Sequence, residues 1–368
     1  GQKLVRLLAD HPWFEPVALV ASGRSRGRRY RDAVHRLEPA PVPAAVGDLE
    51  LEGPEAAQGA MVALSALPRG VAAELEPELA RAGVAVVSNA AALRMEPWVP
   101  LVVPEVNPGH LAVLEARPRG WAPVVTNPNC ATVGLVMVLA PLIEAFGVLE
   151  VRVTTLQALS GAGHPGVAAL DVVGNVIPGI PGEEEKLESE PAKILGRVRG
   201  GRVIPSPMVV AAQTTRVPVV DGHLLCLSVK LGVAAPPEAV ATALAAWRGA
   251  VAERGLPGAP DQPLRVLCGE RGPQPRLDAD AGGGMTVTVG RIRTGTTGDL
   301  QLVALVHNTL RGAAGAAVLN AELLAAEGWL GERCRILPPC SPPCRLRSAS
   351  PSPCPSWRRP RPPPTPRC

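Results

Sequence analysis

Aromatic residues are scarce in this 368-residue chain, since Phe, Trp and Tyr together make up 2% of it. Hydrophobic residues still account for 46%, so Val, Leu and Ala must fill a core of sizeable volume. No run of about 18 uncharged apolar residues occurs, which argues against a membrane span. The net charge of +4 is small for this length and does not indicate nucleic-acid binding. The length favours two domains.

Cysteine is scarce outside the C-terminal segment. Residues 331–368 hold five of the eight cysteines, together with twelve prolines and eight arginines. This segment has no Cys-x-x-Cys pair and no histidine, which argues against a zinc site, and we expect no metal. Its proline density predicts a disordered Pro/Arg/Cys-rich tail, or a translated non-native reading frame. The other cysteines, Cys130, Cys226 and Cys268, fit a reducing compartment, so we expect a cytoplasmic protein without a signal peptide.

A glycine-rich Gly-x-Gly-x-x-Gly loop is also lacking. The chain begins at Gly1 and leads directly into residues 3–10, where Leu4, Leu7 and Leu8 fit one face of a helix. An α/β chain normally places a strand and such a loop before this helix. We therefore expect that the first strand and the Gly-rich loop are missing from this sequence.

Four short apolar runs occur in the first 130 residues. They span residues 16–22, 61–66, 84–89 and 123–127. Helical stretches separate them and their hydrophobicity does not alternate, so they predict a buried parallel sheet. Ligands collect at the carboxyl ends of the strands in such sheets. These ends carry Ser22, Ser65, Ser88, Asn89 and residues 127–130.

The remainder of the chain changes character after residue 130. Residues 130–146 are apolar on nearly every side and predict a buried helix. Val151, Val153 and Thr155 alternate with other residues, as do parts of 224–231 and 285–292, which predicts an antiparallel sheet with one covered face. Further helices are expected over the following ranges: 237–255 and 308–327.

Cys130 is the clearest chemical signal in the sequence. It follows Asn127-Pro128-Asn129 at the point where a strand ends and the buried helix begins. The amides and the positive dipole end of a helix N-terminus favour a thiolate, and they can also stabilise an oxyanion. A buried structural cysteine is the ordinary alternative. The strand–helix junction favours the nucleophile.

A candidate base and a candidate anion-binding residue lie downstream. Arg216 and His223 stand at the two ends of a strand and its turn. A thiol nucleophile needs a proton acceptor, and histidine titrates near neutral pH. Arginine can hold an anionic substrate with two hydrogen bonds. Taken alone, a histidine near a turn is more often a surface residue than a catalyst.

Three other segments have an ordinary and a functional interpretation. Residues 160–163 form a small-residue turn to which a ligand could come close, and residues 183–186 form a charged helix start. The loop at residues 22–26 has hydroxyls and arginines but no acid for a ribose 2′-hydroxyl. This composition favours a 2′-phosphate, and therefore NADP over NAD, although an ordinary basic loop is the alternative.

Together these segments resemble aspartate-semialdehyde dehydrogenase of the archaeal and fungal type. The matching stretches keep one order over about residues 1–330. They are residues 20–25, 65–68, 88–90, 94–95, 104–108, 127–132, 156–163, 183–188, 216–223 and 307–315.

The resemblance implies a reaction and a role for each matching residue. It implies that NADPH reduces L-4-aspartyl phosphate to L-aspartate 4-semialdehyde through an acyl thioester on Cys130, in lysine, threonine and methionine biosynthesis. His223 is then the acid/base and Gln157 orients the intermediate. The implied substrate contacts are Arg216 for the carboxylate, Glu183 for the amino group, and Arg94, Asn129 and Lys186 for the phosphate. The implied cofactor contacts are Ser22, Arg24, Ser25, Ser65, Leu67, Ser160, Gly161 and Asn308.

The resemblance also implies the fold class and an assembly. We expect an α/β chain with a Rossmann-type NADP-binding domain over residues 1–129 and an α+β catalytic and dimerisation domain over residues 130–307. A final helix over residues 308–330 is expected to pack on the first domain, followed by the tail at 331–368. The implied assembly is a homodimer or homotetramer.

The sequence leaves other functions open. A sibling enzyme such as malonyl-CoA reductase or N-acetyl-glutamyl-phosphate reductase would use similar chemistry on another acyl group. The combination of Arg94, Glu183 and Arg216 favours aspartyl phosphate, because it provides a partner for each substrate charge. The two unusual chain ends suggest a truncated, inactive relative as another alternative. A protein that binds a partner through its tail is the weakest of them.

Overall fold

The computed structural model describes residues 1–331; the expected tail, apart from Gly331, lies outside the described residues. The helices are α1 Gln2–Leu8, α2 Tyr30–Ala33, α3 Ala44–Gly47, α4 Arg69–Arg81, α5 Cys130–Phe146, α6 Ala169–Val172, α7 Glu183–Ile194, α8 Pro237–Ala246, α9 Pro275–Asp278 and α10 Gly315–Ala326. The strands are β1 Leu19–Val20, β2 Leu51–Glu52, β3 Val62–Ser65, β4 Ala85–Ser88, β5 Val124–Thr126, β6 Val148–Gln157, β7 Ile177–Pro178, β8 Arg197–Arg199, β9 Arg202–Ile204, β10 Val209–Arg216, β11 His223–Leu231, β12 Leu264–Val266, β13 Val287–Thr294 and β14 Leu300–Val306.

Three of the four predicted parallel strands form one sheet. β3, β4 and β5 pair in parallel, in that order, and β4 is buried along its whole length. The run at residues 16–22 was expected in the same sheet, but only Leu19 and Val20 form a strand, which pairs with β2 instead. β2 was not predicted. No residue of the run is fully buried, and Val17 is 67% accessible, so little burial stabilises a strand longer than β1.

The first helix spans Gln2–Leu8, two residues shorter at its end than the predicted segment 3–10, and buries a different face. The sequence predicts that Leu4, Leu7 and Leu8 point inward, whereas Leu4 and Val5 are buried and Leu7 is exposed. α1 packs against α10 and the turn before it, and this contact selects the side of the helix that carries Leu4 and Val5.

A seven-stranded sheet occupies the second half of the described chain. Its order is β12-β13-β14-β11-β6-β10-β7, and its pairing is mixed rather than purely antiparallel as predicted. β6 pairs with β10 in parallel, and β12 pairs with β13 in parallel. Alternation reports only that one face is covered, so it cannot distinguish these two patterns. The inward residues Val151, Val153 and Thr155 are buried as predicted.

Helix α5 covers this sheet and forms the centre of the core. Every residue from Ala131 to Leu142 is buried, which confirms the prediction of a helix that is apolar on all sides. Its neighbours are strands β6, β11 and β14, and the contacting side chains are mostly Val and Leu. Each fully buried Val or Leu contributes roughly 1.5–3 kcal/mol, so this core needs few aromatic residues.

The helix predicted at residues 237–255 ends early, at Ala246. Trp247 has an extended backbone with ψ of 132°. Gly249 then takes a φ of +75°, and a Cβ atom at this position would lie 2.6 Å from the Cβ of Glu105. The chain turns here because glycine permits both the positive φ and the close contact with the neighbouring segment.

The last helix agrees with its predicted range but begins irregularly. Residues Leu310–Ala314 form a π-helical turn that continues into α10. Arg311 in this turn is fully buried and makes a two-pronged ion pair with Glu105. The pair connects the turn to the segment between β4 and β5. No helix among residues 1–331 is both long and apolar enough to cross a membrane.

Candidate active site

Cys130 is the first residue of α5, directly after the carboxyl end of β5. Asn129 precedes it with an extended backbone and caps the helix, because its Oδ1 accepts hydrogen bonds from the amides of Ala131 (3.0 Å) and Thr132 (3.3 Å). The sequence offered such amides as oxyanion donors. These two are already bonded to Asn129, so they stabilise the helix start instead.

His223 lies beside the nucleophile although 93 residues separate them. Its Nε2 atom is 3.2 Å from Cys130 Sγ, and the ring is fully buried at the start of β11. The backbone amide of Ala158 donates to His223 Nδ1 at 3.0 Å. A neutral ring that accepts at Nδ1 carries its hydrogen on Nε2. That hydrogen therefore faces the sulfur.

Burial dominates the electrostatics of this pair. It raises the pKa of the Cys130 thiol to about 12, and Glu183 raises it further. Arg94, the Ala131 amide and Arg216 oppose the rise without cancelling it. The helix start therefore acts in the predicted direction, lowering the pKa of the thiol, but the loss of hydration has the larger effect. Burial likewise lowers the pKa of His223 to about 3, assisted by Arg216 and His307.

Gln157 and Arg216 lie side by side on parallel strands. They are register partners at the ends of β6 and β10, and both are buried. Arg216 Nη1 donates to the carbonyl of Ala158 at 2.7 Å, the residue whose amide holds His223. A Cβ atom on Gly161 would lie 3.0 Å from His223 Cε1 and 3.1 Å from Arg216 Nη1. Gly161 therefore packs closely over both side chains.

Helix α7 brings Glu183 and Lys186 to the same site. Glu183 accepts a hydrogen bond from Asn129 Nδ2 at 2.7 Å and pairs with Lys186 Nζ at 2.7 Å. The sequence left open which of three consecutive acids faces the site. Glu184 accepts the Thr214 amide at 2.9 Å instead, and Glu185 is exposed. The geometry favours Glu183.

Arg94 is also present, held by a residue that the sequence analysis did not select. Its Nη1 pairs with Glu190 at 2.8 Å and its Nη2 donates to the carbonyl of Asn89 at 2.8 Å. Glu190 is buried on α7, two helical turns after Glu183. The seven-residue spacing from Glu183 to Glu190 places both on one helix face, and this signal could have identified it.

A hydrogen-bond network supports the turn before His223. Asp221 accepts from Ser160 Oγ at 2.7 Å, Asn308 donates to Ser160 Oγ at 2.8 Å, and Asn308 accepts from the Gly222 amide at 2.9 Å. The predicted cofactor contacts Ser160 and Asn308 thus meet within two residues of His223. Asp221 was missed, although the Asp-Gly-His sequence places it next to the base.

The other predicted cofactor residues lie at the strand ends of the first part of the chain. Ser65 ends β3, and Asn89 donates its amide to the Ser65 carbonyl at 3.0 Å, while Leu67 is half-buried nearby in sequence. Ser22 and Arg24 are exposed and Ser25 is half-buried, on the loop after β1. Among the hydrogen bonds and ion pairs within residues 1–331, none joins this loop to the Cys130 site.

Comparison with known proteins agrees with this arrangement. A family model described as "Semialdehyde dehydrogenase, NAD binding domain" matches residues 1–114, and one described as "Semialdehyde dehydrogenase, dimerisation domain" matches residues 139–311. An aspartate-semialdehyde dehydrogenase from Archaeoglobus fulgidus is 44% identical, over 89% of this chain and 95% of the relative. One from Methanothermobacter thermautotrophicus is 43% identical, over 88% and 95%.

This chain belongs to the aspartate-semialdehyde dehydrogenase family. The solved structure of the Candida albicans enzyme with NADP is 41% identical, with a TM-score of 0.83 over 89% of this chain and 96% of that one. Aspartate semialdehyde dehydrogenase II from Vibrio cholerae is 27% identical, with a TM-score of 0.68 over 88% and 94%. The predicted family and the α/β fold class with its Rossmann-type domain are thereby confirmed.

Proposed function

We propose that this chain catalyses the NADPH-dependent reduction of L-4-aspartyl phosphate to L-aspartate 4-semialdehyde and inorganic phosphate. The reaction belongs to the biosynthesis of lysine, threonine and methionine. The observation that carries the proposal is the contact of 3.2 Å between Cys130 Sγ and His223 Nε2 at the start of α5. Arg94, Arg216 and Glu183 surround this pair closely enough to influence the pKa of the thiol.

The charges around Cys130 match those of aspartyl phosphate. Arg216 binds the α-carboxylate and Glu183 binds the amino group. Asn129, Lys186 and Arg94 bind the phosphate, since Asn129 and Lys186 both contact Glu183 and Arg94 reaches Asn129 through Glu190. Malonyl-CoA has no ammonium group, and N-acetyl-glutamyl phosphate has its amino group blocked. An acid beside the nucleophile therefore favours the aspartyl substrate.

Two features of the site fit a bound NADP, the cofactor of the Candida albicans relative. Gly161 is exposed, and a Cβ atom on it would crowd His223 and Arg216. Because glycine has no side chain, a planar ring can come close to the catalytic pair at this position. Ser65 Oγ is buried near Glu76 but makes no hydrogen bond of normal geometry within residues 1–331.

We assign Ser160 and Asn308 to the nicotinamide half of the cofactor, and Ser65 and Leu67 to its middle part. Ser22, Arg24 and Ser25 are assigned to the 2′-phosphate.

The first half of the reaction is acyl transfer to Cys130. The sulfur bonds to the acyl carbon, the bond between that carbon and the phosphate oxygen breaks, and inorganic phosphate leaves. His223 is the base within reach of the thiol. Its hydrogen sits on Nε2, so it must move this hydrogen to Nδ1, breaking the contact with the Ala158 amide, before it accepts the thiol proton.

The second half converts the thioester to the aldehyde. When bound, NADPH supplies the hydride for this step. His223 donates a proton to the oxygen that gains negative charge, and it takes the proton back when the carbon–sulfur bond breaks. Gln157, buried at the end of β6, holds the intermediate in one orientation. The aldehyde leaves and the Cys130 thiol is restored.

The proposal is tested by following NADPH formation in the reverse direction. L-aspartate 4-semialdehyde, inorganic phosphate and NADP are supplied to the full chain and to the variants Cys130→Ser and His223→Asn. We expect activity in the full chain, none in Cys130→Ser, and a fall of about a hundredfold or more in His223→Asn.

A matched control is Cys268→Ser, since Cys268 is an exposed cysteine outside the site. It should retain full activity. Folded protein that is inactive with aspartate 4-semialdehyde, yet active with malonate semialdehyde plus coenzyme A or with N-acetyl-glutamate semialdehyde plus phosphate, would replace the proposal with a sibling activity. Inactivity with all three would indicate an inactive relative.

The proposal includes a domain division and an assembly. The NADP-binding domain takes residues 1–129 and the catalytic domain takes 130–307; residues 308–330 return to the first domain, since α10 packs on α1, β3 and β4. The chain assembles as a homodimer, or as a homotetramer built from such dimers. The face of the seven-stranded sheet opposite α5 is the proposed dimer surface, because Thr154 and Cys226 lie exposed at its centre.

A further inference from the structure

Glu190 is a buried acid that joins two parts of the proposed phosphate site. It is 2% exposed on α7, with one oxygen paired to Arg94 Nη1 at 2.8 Å. Its other oxygen accepts the backbone amide of Asn129 at 2.7 Å. One carboxylate therefore holds both the arginine and the residue that precedes the nucleophile.

The bond to Asn129 acts on the start of α5. The Asn129 amide lies before the helix, so it has no partner within the helix ladder. Asn129 then uses its side-chain oxygen to cap Ala131 and Thr132 and its amide nitrogen to reach Glu183. The backbone amide, Oδ1 and Nδ2 of Asn129 are therefore all hydrogen-bonded directly before Cys130. Because Glu190 holds the amide, it helps to define the position of the nucleophile.

The bond to Arg94 sets the orientation of a guanidinium. Arg94 is 7% exposed, and Nη1 and Nη2 are held by Glu190 and by the Asn89 carbonyl. Arg94 Nε is buried and has no hydrogen-bond partner within residues 1–331. A guanidinium held at two of its nitrogens presents the remaining donors in one direction, which is what recognition of an anion requires.

The next turn of α7 holds the backbone of the same loop. Lys193 donates to the carbonyls of Arg94 (2.7 Å), Glu96 (2.9 Å) and Val99 (2.8 Å). The loop is thus anchored without Glu190. Glu190 instead acts on the side chain of Arg94. Glu190 therefore orients the guanidinium, whereas Lys193 holds the backbone of the loop.

We propose that Glu190 is a positioning residue of the phosphate site, which orients Arg94 and the Asn129 backbone for binding of inorganic phosphate or the phosphate group of the substrate. The inference rests on the proposed function for the identity of the substrate. A purely structural explanation is weaker, because burying an ion pair carries a desolvation cost that an apolar pair of similar volume avoids. The neighbouring Leu187 and Ile194 show that α7 uses such apolar contacts where it only packs.

The test compares Glu190→Gln with Glu185→Gln, an exposed acid on the same helix that receives the same chemical change. Steady-state kinetics give KM for phosphate, KM for L-aspartate 4-semialdehyde, and kcat. We expect Glu190→Gln to raise KM for phosphate about tenfold or more, since an amide weakens the charged bond to Arg94 and cannot accept from both partners. KM for the aldehyde should stay within about twofold. Glu190→Asp, which keeps the charge, should recover part of the phosphate affinity and replaces Glu190→Gln if that variant does not fold.

A second measurement does not depend on turnover. Iodoacetamide labelling of Cys130, resolved by peptide mass spectrometry, is slowed by any anion bound at the phosphate site. Phosphate should protect the wild-type chain and Glu185→Gln, and about tenfold more phosphate should be needed in Glu190→Gln. Protection with this pattern in a chain that lacks the proposed activity would uphold the role of Glu190 and reject the substrate.

The inference is overturned if phosphate protects no form of the chain. Equal behaviour of Glu190→Gln and Glu185→Gln would also overturn it, as would parallel changes in both KM values and the unfolding midpoint.

Discussion

At the scale of single residues, opposing electrostatic influences act on the pKa of the Cys130 thiol. The helix start, Arg94 and Arg216 stabilise a thiolate, whereas burial and Glu183 destabilise it. Burial prevails, so the pKa of the thiol lies well above its ordinary value in the protein without ligands. A neutral thiol reacts more slowly with electrophiles than a thiolate does.

The raised pKa predicts how labelling of Cys130 depends on pH. The thiolate is the reactive form, and its fraction below the pKa rises about tenfold per pH unit. With the pKa of Cys130 near 12, the rate of alkylation should still be rising at pH 10. Peptide-resolved mass spectrometry after iodoacetamide treatment measures it, with the exposed Cys268 as internal reference. A plateau at or below pH 8 would mean that the cations and the helix start prevail over burial.

At the scale of secondary-structure elements, the π-helical turn before α10 is in close contact with the start of α5. A Cβ atom on Gly312 would lie 2.6 Å from the Cβ and 2.9 Å from the Cα of Cys130. Both atoms belong to the residue whose position matters most, so they cannot move without displacing the nucleophile. Glycine is required here for close approach of two backbones, and its amide bonds to the carbonyl of His307.

Gly312→Ala should therefore damage both folding and catalysis. We expect a loss of about 1–3 kcal/mol in the free energy of unfolding, from overpacking. kcat should fall roughly tenfold to a hundredfold, because Cys130 is displaced from His223. Urea unfolding and the NADPH assay measure the two effects. Gly70→Ala is the matched control: it is helical with nothing within 4 Å, and it should stabilise by up to about 1 kcal/mol. Similar results for the two variants would mean that the turn accommodates a methyl group at no cost.

Helix α7 shows how far a single element could be interpreted from sequence. Its charged start was visible in residues 183–186, and the family resemblance selected Glu183 and Lys186. The resemblance did not select Glu190, and the buried Lys193 looked like any surface lysine. Their importance comes from the loop that packs against them, which lies almost 100 residues earlier in the chain. Helical periodicity states which residues share a face but not what that face meets.

At the scale of the whole molecule, the face of the seven-stranded sheet opposite α5 is the proposed dimer surface. Thr154 and Cys226 are cross-strand partners on this face, and both are exposed in the single chain. The double variant Thr154→Arg/Cys226→Arg puts two charges beside the existing Arg152. If two copies pack here, the buried like charges should dissociate them.

Sedimentation velocity measures this effect over a range of protein concentrations. We expect a dimer or larger assembly for the wild-type chain and a monomer for the double variant. Thr242→Arg, on the exposed side of α8, adds charge elsewhere and should leave the assembly unchanged. An intact assembly in the double variant would place the interface on another surface, and a wild-type monomer would remove the dimer from the proposal.

The sequence by itself determined those features that one element carries alone. The apolar residues after Cys130 made α5 a buried helix, and the Asn129–Cys130 junction placed a thiol at its start, because periodicity and capping are local properties. Alternation along β6 identified its inward side chains for the same reason. Only the tertiary structure decided that His223 meets Cys130, that Glu190 joins Arg94 to Asn129, and that burial raises the pKa of the thiol. These outcomes depend on which distant groups pack together and on how much water they exclude, and desolvation is a property of the assembled fold rather than of any segment.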